Sequence, residues 1–204
     1  MLFRSSVFIG IGSQAEYGPI NEPINEKTNV DPQSGYGIAK YASGKLAKLY
    51  CDQLNIRFNW IRILSVYSSK DSEYALIPYL IHSMLSGISP ELTPCEQYWD
   101  YIYSKDVAKA LYLVGLKGVN GKTYPLGSGE CRMLKDYVKE IHSLINPDIP
   151  LKFGSKAYYP HQPMYLHADI SELVKDTGFQ PDYSFKEGII EILKEIKKDN
   201  VNKT

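Results

Sequence analysis

Tyr36 and Lys40 stand four residues apart in the stretch SGYGIAK, residues 34–40. On a helix that spacing puts a phenol and an ammonium on one face, a single turn apart. A free tyrosine, with a pKa of about 10, is a poor base at neutral pH. An ammonium beside it favours the phenolate, so the pair suits general acid/base work on a hydroxyl or a carbonyl. Spacing alone is a weak signal among 17 tyrosines, because Tyr41 with Lys45 and Tyr101 with Lys105 repeat it. Context separates the first pair from the others: Ser13 closes an apolar run, a long loop follows, and Tyr36 opens the next helix. The other two pairs are expected in core and surface roles, since neither is expected at a strand-to-helix mouth.

The elements that must position these groups follow from the pattern of the chain. SSVFIGIGS is a short apolar, β-forming run ended by a polar turn, which predicts a buried strand finishing near Gly12. The prolines, asparagines and glycines of residues 16–35 predict a loop. From Tyr36 to Leu54, Ala39, Ala42, Leu46, Leu49 and Tyr50 recur at helical steps, predicting an amphipathic helix that Ser34 caps. FNWIRILSVY reads as the next strand, so strand, helix and strand predict a parallel crossover. A helix from about Glu73 to Leu85, a strand in YWDYIYS, a helix capped by Ser104, a strand in GKTYPLGSG and helices in MLKDYVKEIHSLI and FKEGIIEILKEIKK complete the chain.

At 204 residues, 44% hydrophobic and with zero formal net charge, the chain reads as a soluble α/β protein with no electrostatic footprint for nucleic acid or an anionic membrane. No apolar run approaches a membrane span, and the apolar run near Met1 is too short for a signal peptide. Cys51, Cys95 and Cys131 form no paired framework, which points to a reducing compartment and a cytoplasmic location. His161, His167 and Asp169 match no zinc spacing, so no metal is expected.

GIGSQA, residues 10–15, formally matches a dinucleotide fingerprint after a strand, with Gly10 and Gly12 as the phosphate cradle. That chemistry needs a helix N-terminus at the turn, and Gly18-Pro19 and Glu22-Pro23 would break any helix after about one turn. The match is therefore expected to be fortuitous. GSG at 127–129 fails too, because Arg132 stands where a third glycine is required.

VFIGIGSQAEYG, YGIAK and IRILSVY, in that order, resemble the extended branch of the short-chain dehydrogenase/reductase superfamily, the NAD-dependent epimerases and dehydratases of nucleotide sugars. DYIYSKDVAKAL, GKTYPLGSGE and ADISELVKDTGFQPDYSFKEGI extend the resemblance over nearly the whole chain. It implies the C-terminal part of a Rossmann-like parallel sheet plus a smaller α/β substrate-binding region. Residues 1–67 would be the remaining part of the nucleotide-binding domain, 68–198 mainly the substrate region with one or more segments returning to the sheet, and 199–204 a frayed tail. It assigns catalysis to Ser13, Tyr36 and Lys40, cofactor contact to Tyr36, Lys40 and Ile63, and substrate contact to Gln14, Ser65 and Trp99. The implied cofactor is NAD or NADP and the implied substrate a nucleotide sugar, with a homodimer possible in a full-length form.

The departures narrow the reading. Dehydratases of this branch carry an Asp-Glu pair after the hydroxyl residue, where Gln14 and Ala15 stand here, so dehydration is not expected. Trp99 and Tyr159 occupy positions where arginines would clamp the substrate pyrophosphate, and Ser65 replaces a customary asparagine. The expected function is a 4-epimerase or 4-keto reductase. The alternative is a non-catalytic sugar-nucleotide-binding or dimerising module. Because the family's Gly-rich βαβ unit is not in this sequence, the 204 residues alone are expected to bind NAD(P) poorly, to lack turnover and to dimerise weakly.

Overall fold

The computed structural model describes residues 6–160 and 162–201. β1 (Val7–Ser13) runs into a single 3-10 turn (Gln14–Glu16), crosses the loop and enters α1 (Gly35–Gln53). Ser34 caps α1 as expected, its hydroxyl accepting from the Gly37 amide at 3.1 Å. β2 (Arg57–Ile63) then returns parallel to β1, with Ser13 opposite Ile63. The strand expected through residue 67 is in fact two. After Leu64 the chain enters β3 (Ser65–Tyr67), which belongs to a second sheet.

α2 (Leu76–Leu85) begins three residues after Glu73, and this start places Pro78 in the first turn, where its missing N–H costs no helical bond. YWDYIYS is also two strands, β4 (Tyr98–Trp99) and β5 (Tyr101–Tyr103), parted at Asp100. The wholly buried Asp100 carboxylate accepts from the amides of Ser128 at 2.7 Å and Ala168 at 3.1 Å, so the chain turns about an anchor instead of continuing one ladder. α3 (Ser104–Lys117) takes Tyr103 as its N-cap with no side-chain bond, so Ser104 is its first residue and not its cap. β6 (Thr123–Leu126), β7 (Arg132–Met133), α4 (Leu134–Ile145), β8 (Tyr165–Leu166), α5 (Ser171–Thr177) and α6 (Phe185–Val201) follow. α6 carries helix into residues 199–201, which the sequence assigned to a tail; 202–204 lie outside the described residues.

Among the described residues the first sheet has the order β1-β2-β6, all parallel, so β6 rejoins the sheet far along the chain. β3 pairs with β5 in parallel, and β4 lies between β7 and β8 in a third small sheet. One core joins Ile77, Leu80, Val138, Ile141, Phe185 and Ile189 of α2, α4 and α6. A second lies under α3 and α5, from Ile61, Val114, Tyr124 and Leu126 to Leu173 and Phe179.

α1 packs opposite to expectation. Ala39, Ala42, Leu46, Leu49 and Tyr50 are exposed, and the buried positions are Gly37, Gly44 and Cys51, seven residues apart. The reason is Trp60 of β2, whose ring lies between the sheet and the helix; a Cβ on Gly44 would come within 2.8 Å of it. A large aromatic on the strand needs glycine on the helix, so the hydrophobic periodicity pointed to the wrong face.

Candidate functional site

The carboxyl ends of β1, β2 and β6 open on one side of the sheet, the side where α/β proteins place ligands. Ser13 ends β1 and caps the 3-10 turn, its Oγ accepting from the Ala15 amide at 3.2 Å. Tyr36 and Lys40 lie in the first turns of α1. That helix end is pressed against the turn, because a Cβ on Gly37 would sit 2.2 Å from the Ala15 carbonyl oxygen. Lys40 Nζ lies 5.8 Å from the centroid of the Tyr36 ring and donates to the Ile11 carbonyl at 3.0 Å. Tyr36 is 59% exposed, so its phenol is open to a ligand. The structure thus brings Ser13, Tyr36 and Lys40 to one mouth.

The sequence reading missed Glu16. It is completely buried and its carboxylate accepts from the Ser13 amide at 2.9 Å, Trp60 Nε1 at 3.0 Å and Arg62 Nε at 2.8 Å. The signal that could have found it is the Ser-x-x-Glu spacing of a capping box at residues 13–16.

Gly10 and Gly12 are not a phosphate cradle. Cβ atoms there would lie 2.1 Å and 2.3 Å from the Trp60 indole, so these glycines make room for that ring, and only one 3-10 turn follows them. The Tyr36 and Lys40 mouth does fit the nicotinamide side of a dinucleotide: an exposed phenol stands beside an ammonium that spends one of its three donors on Ile11. Ile63 ends β2 opposite Ser13, half-buried, and Gln14 opens the 3-10 turn, also half-buried.

Ser65 and Trp99 meet. Trp99 Nε1 donates to Ser65 Oγ at 2.6 Å, and Trp99 lines an open cavity of about 520 Å³ with Tyr74, Tyr79, Gln97, Tyr101 and Tyr159 among its walls. Its described lining contains no arginine; Lys156 is its cation, 5.3 Å over the Tyr79 ring. Cys95 lies in the same lining, buried, with a left-handed φ of 56°, and burial pushes its thiol pKa up.

The repeated Tyr-Lys spacings behave differently. Tyr101 and Lys105 do straddle a strand-to-helix junction, β5 into α3, contrary to expectation, but the two side chains part. Tyr101 packs edge-on against Tyr137 while Lys105 pairs with Glu191 at 3.4 Å. Lys45 lies 5.2 Å over the Tyr41 ring on the flank of α1. His167 Nε2 contacts the Gly129 carbonyl at 3.3 Å, and His161 lies outside the described residues. Among the described residues no cluster of His, Cys, Asp and Glu could hold a metal, and no described helix is long and apolar enough to cross a membrane.

Residues 2–127 match the NAD dependent epimerase/dehydratase family. The chain is 29% identical over 203 residues to a putative UDP-glucose 4-epimerase of Methanocaldococcus jannaschii, covering 95% of this chain and 63% of that protein. It is 28% identical to a dTDP-glucose 4,6-dehydratase of Escherichia coli, covering 81% of this chain and 49% of that one. Among solved structures, the UDP-N-acetylglucosamine 4-epimerase of Methanobrevibacter ruminantium, in complex with UDP-N-acetylmuramic acid, superposes with a TM-score of 0.83 at 26% identity over 93% of this chain and 64% of that one. The UDP-glucose 4-epimerase of Thermotoga maritima, with UDP-glucose, shares the fold at a TM-score of 0.85 and 21% identity, over 95% of this chain and 64% of that one. The chain spans about half to two-thirds of the length of these relatives. With more than half of its residues matched, from the strand that carries Ser13 to the end of β6, the chain belongs to the NAD dependent epimerase/dehydratase family.

Proposed function

We propose that the protein works as a nicotinamide-dependent nucleotide-sugar 4-epimerase or 4-keto reductase. The observation that carries this reading is the close approach of the α1 N-terminus to the turn after Ser13, which puts the Tyr36 phenol and the Lys40 ammonium beside the Ser13 hydroxyl's turn. Ser13 orients the sugar C4 oxygen by a hydrogen bond from its hydroxyl, one lone pair of which already serves the Ala15 amide. Tyr36 exchanges a proton with the same oxygen, and Lys40 stabilises the phenolate that results. A nicotinamide held by Tyr36, Lys40 and Ile63 would supply hydride exchange at the sugar carbon. Gln14, Ser65 and Trp99 would contact the substrate, whose nucleotide part the aromatic-walled cavity suits.

The test follows the C4 configuration of UDP- and dTDP-hexoses by NMR with NAD(P), in the form of the protein that its own gene yields. Epimerisation or 4-keto reduction supports the reading, and turnover unchanged in Tyr36→Phe would overturn it. One observation favours the alternative of a dimerising module: Ile38, Leu46, Leu49 and Tyr50 leave an exposed apolar face on α1. Loss of self-association in Leu49→Lys, with no turnover by the unaltered protein, would favour that alternative.

A further inference from the structure

Glu16 and Arg62 form an ion pair with almost no exposure, 2.8 Å apart, in the wall behind Ser13. The carboxylate is shared among the Arg62 Nε, the Trp60 indole N–H and the backbone amide of Ser13. Arg57 N bonds the Ser6 carbonyl, so in β1 the even-numbered residues direct their backbone groups toward β2 and the odd-numbered ones direct them to the opposite edge, which pairs with no strand among the described residues. Ser13 N and Ile11 O therefore face that edge, where Glu16 and Lys40 satisfy them in turn. The Ser13 Oγ accepts from the Ala15 amide, which leaves its O–H and one further lone pair to face outward.

We infer that the buried Glu16–Arg62 pair is a positioning device for the Ser13 hydroxyl: Arg62 on β2 fixes the carboxylate, the carboxylate fixes the Ser13 backbone, and the capping box then holds the hydroxyl in place at the Tyr36 mouth. Its catalytic consequence rests on the proposed function, but its structural claim does not.

Two variants separate positioning from mere support. Glu16→Gln keeps an oxygen for the Ser13 amide and the Trp60 indole but leaves Arg62 without a counter-charge, so it destabilises the fold. Glu16→Leu with Arg62→Leu replaces the pair by apolar groups, which buried sites often tolerate, but abolishes the capping box and leaves the Ser13 amide and the Trp60 indole N–H without their acceptor. The pair as a positioning device predicts that the double variant, assayed where it is fully folded, loses kcat by about tenfold to a hundredfold with KM little changed, while Glu16→Gln, although destabilised, keeps more of its kcat. A kcat that follows stability through both variants would overturn the inference. Amide hydrogen exchange supplies a readout that needs no turnover. Exchange at Ser13 should be about tenfold faster in the double variant, with Ile61 unchanged; unchanged exchange at Ser13 overturns the inference. If the unaltered protein does not act on nucleotide sugars, the proposed function fails, and the exchange result alone decides whether the pair holds Ser13.

Discussion

Trp99 donates its indole N–H to the hydroxyl of Ser65 at 2.6 Å, so two positions that depart from the family's pattern are each other's partner. Trp99 stands on β4 and Ser65 on β3, so the bond ties together two different sheets. Ser65→Ala and Trp99→Phe should each lower stability by about 1 kcal/mol, and a double-mutant cycle in urea should give a coupling of about 0.5 kcal/mol or more. Strictly additive costs would show that the bond contributes nothing.

Tyr36→Phe should lower kcat for the proposed reaction by about 10²-fold, since positioned proton transfer contributes on that scale. Tyr41→Phe is the control. Its ring sits on the flank of α1 against Lys45 and should leave kcat within about twofold, well below the proton-transfer scale.

No 4-keto-6-deoxy sugar should form from a nucleotide hexose. Gln14 and Ala15 follow Ser13 directly, and neither side chain can act as the acid and base that removal of water requires. Mass spectrometry of the products, with detection of a species lighter by one water, would refute this.

Lys122 joins β6 to α5, reaching Glu172 at 2.8 Å and Asp176 at 2.5 Å. The hydrogen bond from Lys122, and then that from Lys175, hold the Glu172 pKa down to about 2. A carboxylate depressed in the folded state stabilises fully above its unfolded pKa, and that stabilisation is lost as pH falls through the folded value. The Tm should therefore drop between about pH 4.5 and about pH 2, and Lys122→Met should make that drop shallower. An unchanged slope in the variant would remove the cluster from the acid response.

Much of the framework was legible in the chain itself. The apolar run before Ser13, the Ser34 cap and the strand, helix, strand order are local signals, and the structure carries them as β1, α1 and β2, although β1 leaves Phe8 and Ile11 exposed and is not the buried strand expected. The order of the segments around Ser13, Tyr36 and Lys40 was enough to indicate the family. The residue-level site was legible as types and spacing only; Gly37 against the Ala15 carbonyl is what brings the two segments together.

What the sequence could not decide were matters of long-range packing. Periodicity along α1 reports which face is apolar but not what it meets, and Trp60, a residue of another element, turned the glycine face inward. Asp100 looked like one residue within a strand because its partners, Ser128 and Ala168, are 28 and 68 residues away. Glu16 looked like a loop residue for the same reason: a carboxylate is buried only when its donors come with it, and the Trp60 indole and the Arg62 guanidinium arrive from the neighbouring strand. Local hydrogen bonding and side-chain alternation are written into neighbouring residues, whereas the pairing of buried polar groups is set by which elements the tertiary fold lays side by side.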